Sequence, residues 1–148
     1  GYLRYEYTGN KLANVAVEGI PLYGNANTNE IYGAVTLGAY TAKYSYALSN
    51  LFGNLNSKGS YYLDLSATYD LGEGYSLVPH AGRQAVKNHS VNSYTDVALT
   101  LNKDLGNGLS ASVAAIRTNR AGNSNFASNL TSYDTAKNAL VVGVKYSF

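Results

Sequence analysis

Apolar and polar residues alternate along most of this chain with a period of two. Over residues 61–71 the odd positions are Tyr61, Leu63, Leu65, Ala67, Tyr69 and Leu71, and the even ones are Tyr62, Asp64, Ser66, Thr68 and Asp70. Successive side chains of an extended strand point to opposite faces, so this stretch predicts a strand with one apolar and one polar face. The pattern returns at Tyr40, Ala42, Tyr44, Tyr46 and Leu48 against Thr41, Lys43, Ser45 and Ala47. It returns again at Thr95, Val97, Leu99, Leu101 and Leu105 against Tyr94, Asp96, Thr100, Asn102 and Asp104. Leu140, Val142, Val144, Tyr146 and Phe148 alternate in the same way with Val141, Gly143, Lys145 and Ser147. Weaker alternation over 1–8, 30–37, 75–86 and 109–118 brings the expected number of strands to eight.

The connections between these strands fall into two kinds that take turns. Short ones at 38–39, 72–74 and 106–108 carry glycine, which supplies positive φ in tight hairpins. Long ones at about 10–29, 49–58, 87–93 and 119–137 are rich in Asn, Ser, Gly and Ala. "YDLGEGYSL" and "KDLGNGLSA" repeat nearly the same turn 34 residues apart. The repeating unit is therefore strand, long loop, strand. Strands of about eleven residues exceed the five or six usual in soluble sheets and match a tilted bilayer crossing. Short turns at one end and long loops at the other predict an all-β, antiparallel up-and-down transmembrane β-barrel of the bacterial outer membrane, with the C-terminus in the periplasm.

Composition sharpens this picture. Charged residues are only 14% of the 148, yet mean hydropathy is slightly negative at −0.19. The balance is made up by 15 Gly and 15 Tyr with abundant Ser, Thr and Asn, which disfavour helix. No apolar run reaches the length of a membrane helix. Zero cysteines exclude a disulfide scaffold and a thiol nucleophile, and a net charge of +2 without a basic cluster gives no footprint for nucleic acid. The length fits one domain spanning 1–148.

In such a barrel the apolar face meets lipid and the polar face turns inward. The inward set is Arg4, Glu6, Lys43, Asp64, Ser66, Thr68, His80, Gln84, Asp96, Thr100 and Lys145. Tyr5, Tyr7, Tyr40, Tyr61, Tyr69, Tyr75 and Tyr146 lie near strand ends, where a phenol suits the membrane–water boundary. Some residues resist the scheme. Pro79 lacks a ladder donor, which predicts an edge, a bulge or a phase shift. Lys103, Arg83 and Arg117 count onto the apolar face, and Lys103 is close enough to a turn to snorkel. No catalytic residue, metal site or cofactor is expected. His80 and His89 are the only histidines, and neither has ligand-spaced carboxylates in sequence or a nucleophile partner. "GEG" and "GNG" lack the strand-to-helix context of a phosphate loop.

The alternation ending in Tyr146 and Phe148 is similar to the terminal strand that barrel-assembly machinery recognises in outer-membrane proteins. "YGAVTLGAYTAKYSYALSNLFG", "SKGSYYLDLSATYDLGEGYSL", "HAGRQAVKN" and "SYTDVALTLNKDLGNGLS" resemble the TorF family of porins over about residues 1–122. Val97 and Ala98 depart from that pattern, Val97 where the family usually has Trp. The resemblance implies about four further strands ahead of this stretch, hence about twelve in a complete barrel, against eight if this chain closes alone. It also implies a passive porin whose lumen passes small polar solutes or ions, with the 10–29 and 119–137 loops narrowing the mouth, and its partners would be outer-membrane lipids and the assembly machinery. A homo-oligomer is compatible with this, although nothing in the residues marks an interface. The competing expectations are a non-conducting eight-strand barrel whose exterior loops bind a partner, a soluble barrel holding an apolar ligand, and last an outer-membrane enzyme. An integral barrel is expected to leave the membrane fraction only with detergent. Release of the protein into plain buffer would instead mark the soluble barrel.

Overall fold

The computed structural model describes residues 1–9, 12–120 and 137–148. No α-helix occurs among them. The strands are β1 (Tyr2–Tyr5), β2 (Ala16–Val17), β3 (Ile20–Pro21), β4 (Thr28–Leu37), β5 (Tyr40–Ala47), β6 (Tyr61–Ala67), β7 (Tyr69–Gly72), β8 (Tyr75–Ala85), β9 (Tyr94–Gly106), β10 (Leu109–Thr118) and β11 (Ala139–Tyr146). They form an antiparallel sheet in the order β1-β4-β5-β6-β8-β9-β10-β11, with β7 also on β8. Neighbours in sequence are neighbours in the sheet, as the hairpin turns require. The path ends on β1 and β11 without joining them, so the sheet is open among the described residues. β1 covers only Thr28–Ile31 of the ten-residue β4. The small β2–β3 hairpin, turning at Glu18 (φ 51°) and Gly19 (φ 79°), lies inside the long connection expected at 10–29. Most of the 119–137 connection falls outside the described residues.

Contacts divide the chain into two compact units. One comprises Gly1–Ala34, Lys43–Leu63 and Gln84–Ser93 and carries long connections. The other comprises Val35–Ala42, Asp64–Arg83 and Tyr94–Phe148 and carries the tight turns.

The repeated turn has a repeated geometry. Gly72, Glu73 and Gly74 have φ of 82°, 51° and 76°, and Gly106, Asn107 and Gly108 have 81°, 52° and 80°. In each, an aspartate two residues ahead of the first glycine accepts its N–H: Asp70 Oδ1 from Gly72 and Asp104 Oδ1 from Gly106, both at 2.8 Å. A slip in strand register accompanies each turn, at Asp70/Gly72 and at Leu109/Ser110. The motif D-L-G-x-G thus encodes three left-handed residues and the carboxylate that fixes them. The first turn, at 38–39, lacks the aspartate and has positive φ only at Gly38 (59°).

Pro79 sits inside β8, which stays continuous although it pairs on both sides. The irregularity expected of the proline is found instead in the neighbouring strand, which breaks into β6 and β7 at Thr68. Extending the Tyr69↔Leu77 register by two residues sets Pro79 opposite Ala67, beside that break. A missing proline N–H removes a rung there, while Thr68 donates its own N–H to Ala39 O at 2.9 Å.

Substituting alanine tests the turn geometry. A Cβ at Gly72 meets open space, whereas at Gly108 it runs into the carbonyl oxygen of Ser147. Gly72→Ala should cost about 1–2 kcal/mol for the left-handed conformation alone. Gly108→Ala should cost about 1–3 kcal/mol more, from overpacking. Urea titration of the two folded variants checks this, and equal midpoints would contradict it.

Candidate functional site: the polar face of the sheet

Burial is inverted relative to an ordinary globular protein. The buried side chains include Thr28, Glu30, Ser45, Ser57, Ser60, Gln84 and Ser93, and the buried apolar ones are mostly small: Ala26, Ala47 and Ala67 beside Leu51 and Val86. Large apolar residues are exposed instead, among them Leu65, Leu71, Val97 and Leu99, with Leu140, Val142 and Val144 at 73%, 75% and 73%. Water-exposed apolar area costs on the order of 25 cal/mol per Å² relative to burial. A sheet presenting this face needs apolar surroundings.

In the turn-bearing unit the polar face gathers around His80. Adjacent strands β6, β8 and β9 contribute Asp64, His80 and Asp96. His80 Nε2 lies 3.3 Å from Asp64 Oδ2, and His80 Nδ1 lies 3.5 Å from Asp96 Oδ2. Their side chains are 20%, 30% and 17% exposed respectively, partly covered but reachable by water. A protonated imidazole donates to both carboxylates, whereas a neutral one donates to a single partner. The carboxylates take opposite nitrogens, so the three residues do not converge on a point. Among the described residues no group of three His, Asp or Glu is placed to hold a metal. The same face continues with Thr100 opposite Ala114, Asn102 Nδ2 3.3 Å from Ser76 Oγ, and Lys145 opposite Ser110. Ser66 is half-buried on β6, and Thr68 is exposed in the gap before β7.

The other unit holds the remaining inward candidates. Lys43 Nζ stands 4.4 Å over the Tyr32 ring, and Gln84 Nε2 donates to Tyr61 O at 2.8 Å. In β1 the phase is opposite to the expectation. Directly opposed residues share a face, so Arg4↔Asn29 and Tyr2↔Ile31 put Arg4 with the exposed apolar set, and Tyr5↔Thr28 puts Tyr5 with the polar one. The reason is local: Arg4 Nε bonds Glu6 Oε2 at 2.6 Å, while Tyr5 packs edge-on against Phe52 at 5.2 Å. Glu6 lies beyond the strand, also accepts from Asn27 Nδ2 at 2.6 Å, and its carboxyl is held below the usual range chiefly by the Arg4 hydrogen bond.

The cations on the apolar face have partners. Lys103 lies opposite Ala111, stands 4.0 Å over the Tyr75 ring and donates to Glu73 O in the turn, the snorkelling expected of it. Arg83 Nη1 bonds Thr95 Oγ1 at 3.1 Å, and Arg117 lies opposite Val97. The tyrosines pair: Tyr40 edge-on to Tyr69 at 6.4 Å, Tyr61 stacked on Tyr44 at 5.4 Å, Tyr7 edge-on to Phe52 at 6.2 Å, and Tyr146 against Phe148 at 6.3 Å.

One feature escaped the sequence reading. The 48–60 connection is a hydrogen-bonded knot and not merely a loop. Ser57, 0% exposed, accepts from Leu51 N–H at 2.7 Å and donates to Asn54 O at 2.6 Å. Thr28, also 0% exposed, accepts from Phe52 N–H at 2.8 Å. Lys87 N–H donates to Ser60 Oγ at 3.0 Å, Asn92 Nδ2 to Asn54 Oδ1 at 2.6 Å, and His89 Nε2 lies 2.6 Å from Leu55 O, tying 86–93 to the knot. The Ser/Asn-rich composition was its signal, since short polar side chains replace backbone partners.

A family model described as a bacterial protein of unknown function, Gcw_chp, matches residues 1–148, and the chain belongs to that family. No curated protein and no solved structure matches it.

Ser57→Ala is expected to orphan the Leu51 N–H and cost about 1–3 kcal/mol. A thermal or urea unfolding midpoint unchanged from the parent would show that the knot does not hold the fold.

Proposed function

We propose that this Gcw_chp member is an outer-membrane β-barrel porin that lets small polar solutes or ions diffuse through a mixed-charge lumen. The inverted burial carries this reading. Exposed Leu65, Val97, Leu99, Leu140, Val142 and Val144 are in favourable surroundings against acyl chains, and the half-buried Asp64, His80 and Asp96 against a wet interior. Lipid offers backbone groups no partners, so the open edges of β1 and β11 are to be satisfied by closure, through each other or through further strands. The TorF resemblance supports the second route, with about twelve strands, and a lumen wide enough to conduct. Lys43, Asp64, His80, Gln84, Asp96, Thr100 and Lys145 then line the pore. Tyr40, Tyr69, Tyr75 and Tyr146 sit at the periplasmic boundary beside the tight turns, and the strand ending in Tyr146 and Phe148 is offered to the assembly machinery. The chemistry is passive: His80 between two carboxylates holds charge and does not activate a nucleophile.

A second reading, a non-conducting barrel with binding loops, draws on the 48–60 knot, where Thr28, Ser57 and Ser60 are packed dry in hydrogen bonds. Planar-bilayer recording of protein purified from its native membrane separates the two. The porin should give stable ohmic steps, and a silent, well-folded barrel would leave the second reading as the better account.

A further inference from the structure

We infer that the Asp64–His80–Asp96 row is the ion-selecting element of the pore, giving it a preference for small inorganic cations, and that proton uptake by His80 weakens that preference. The inference rests on the porin reading above. Three features single out this row. It spans the neighbouring strands β6, β8 and β9, so its geometry is fixed by the sheet and not by flexible loops. Its side chains keep between 17% and 30% exposure, so they are neither sealed away nor fully hydrated. Its charge depends on one proton. With His80 neutral, the row carries the two carboxylate charges, and the imidazole can donate to only one of them. The other carboxylate turns its lone pairs to whatever cation passes. With His80 protonated, Nε2 donates toward Asp64 and Nδ1 toward Asp96. Half of the net formal charge is then cancelled, and both carboxylates are engaged.

The surroundings leave the row in control of its own charge. On β8 the residues of the same parity are Ser76, Val78, Gly82 and Gln84, none of them charged. On β6 they are Tyr62 and Ser66. On β9 the next charge on that face is Asp104, beside the turn, and Asp96 itself lies opposite Thr118 of β10. Lys145 lies opposite Ser110, far along the strand from Thr118. Rings of side-chain charge set ion preference in wide pores. Histidine is the side chain whose ordinary titration falls between about pH 5 and 8.

Reversal potentials in a potassium chloride gradient, recorded at about pH 8 and about pH 5, test this. The wild-type cation preference should fall about twofold on acidification, as the row's net charge halves. H80Q should keep the higher preference at both pH values, and H80K the lower one at both. D64N/D96N should lose the preference and its pH dependence together. H89Q, altered in the loop knot, should follow the wild type. A wild-type preference that ignores pH, or an H80Q variant that tracks the wild type, overturns the inference while leaving the porin standing. Absence of any conductance in the wild type overturns the porin reading and this inference with it.

Discussion

The inter-strand hydrogen-bond ladder is the constraint on which the rest of this structure depends. Every strand from β4 to β10 has a neighbour on both sides, so their backbone groups are satisfied within the sheet. With the backbone settled, which environment each face tolerates is decided by side chains alone. Here the ladder is surrounded by exposed Leu, Val and Tyr on one face and by Asp, His, Ser and Thr on the other. In water that arrangement is unfavourable twice over, because apolar area is wetted and polar groups are partly covered. In a bilayer each face meets the medium it suits. The proposed location follows from the ladder plus this sorting, and no single residue decides it.

Much of this was legible in the chain because a strand has a period of two. Asp64, Ser66, Asp96 and Thr100 could be assigned a common face by counting, and the registers between β9, β10 and β11 agree. The glycine turns were legible for a related reason. D-L-G-x-G names residues that tolerate positive φ together with the carboxylate that caps them. Counting fails where neighbours decide. Arg4 and Tyr5 exchanged faces because β1 is four residues long and its phase is set by pairing with β4 and by Phe52, a residue nearly fifty positions away. Pro79 was recognised as a defect, but the cost appears at Thr68 on the next strand, since a missing rung belongs to two strands at once. Asp64, His80 and Asp96 were each placed inward, yet nothing in a linear pattern says that β6, β8 and β9 align them on one imidazole. The 48–60 knot was read only as composition because its hydrogen bonds are not periodic.

The two units solve the problem of a polar interior differently. Among the described residues no buried side-chain nitrogen or oxygen lacks a partner. In the loop-bearing unit this is achieved by dry packing, with Thr28 and Ser57 fully covered and each holding a backbone N–H. In the turn-bearing unit the polar groups are longer, ionisable and partly open to solvent. A plugged interior requires every donor and acceptor to be matched, since a half-satisfied network in a low-dielectric core is worse than an apolar one. An interior that carries Asp64 and Asp96 on a single shared imidazole does not meet that requirement without water. The chemistry of this row therefore argues for a hydrated lumen more strongly than strand number does. Strand number sets only the available width, whereas ionisable groups held half-exposed by a rigid sheet are stable only where water or mobile ions reach them.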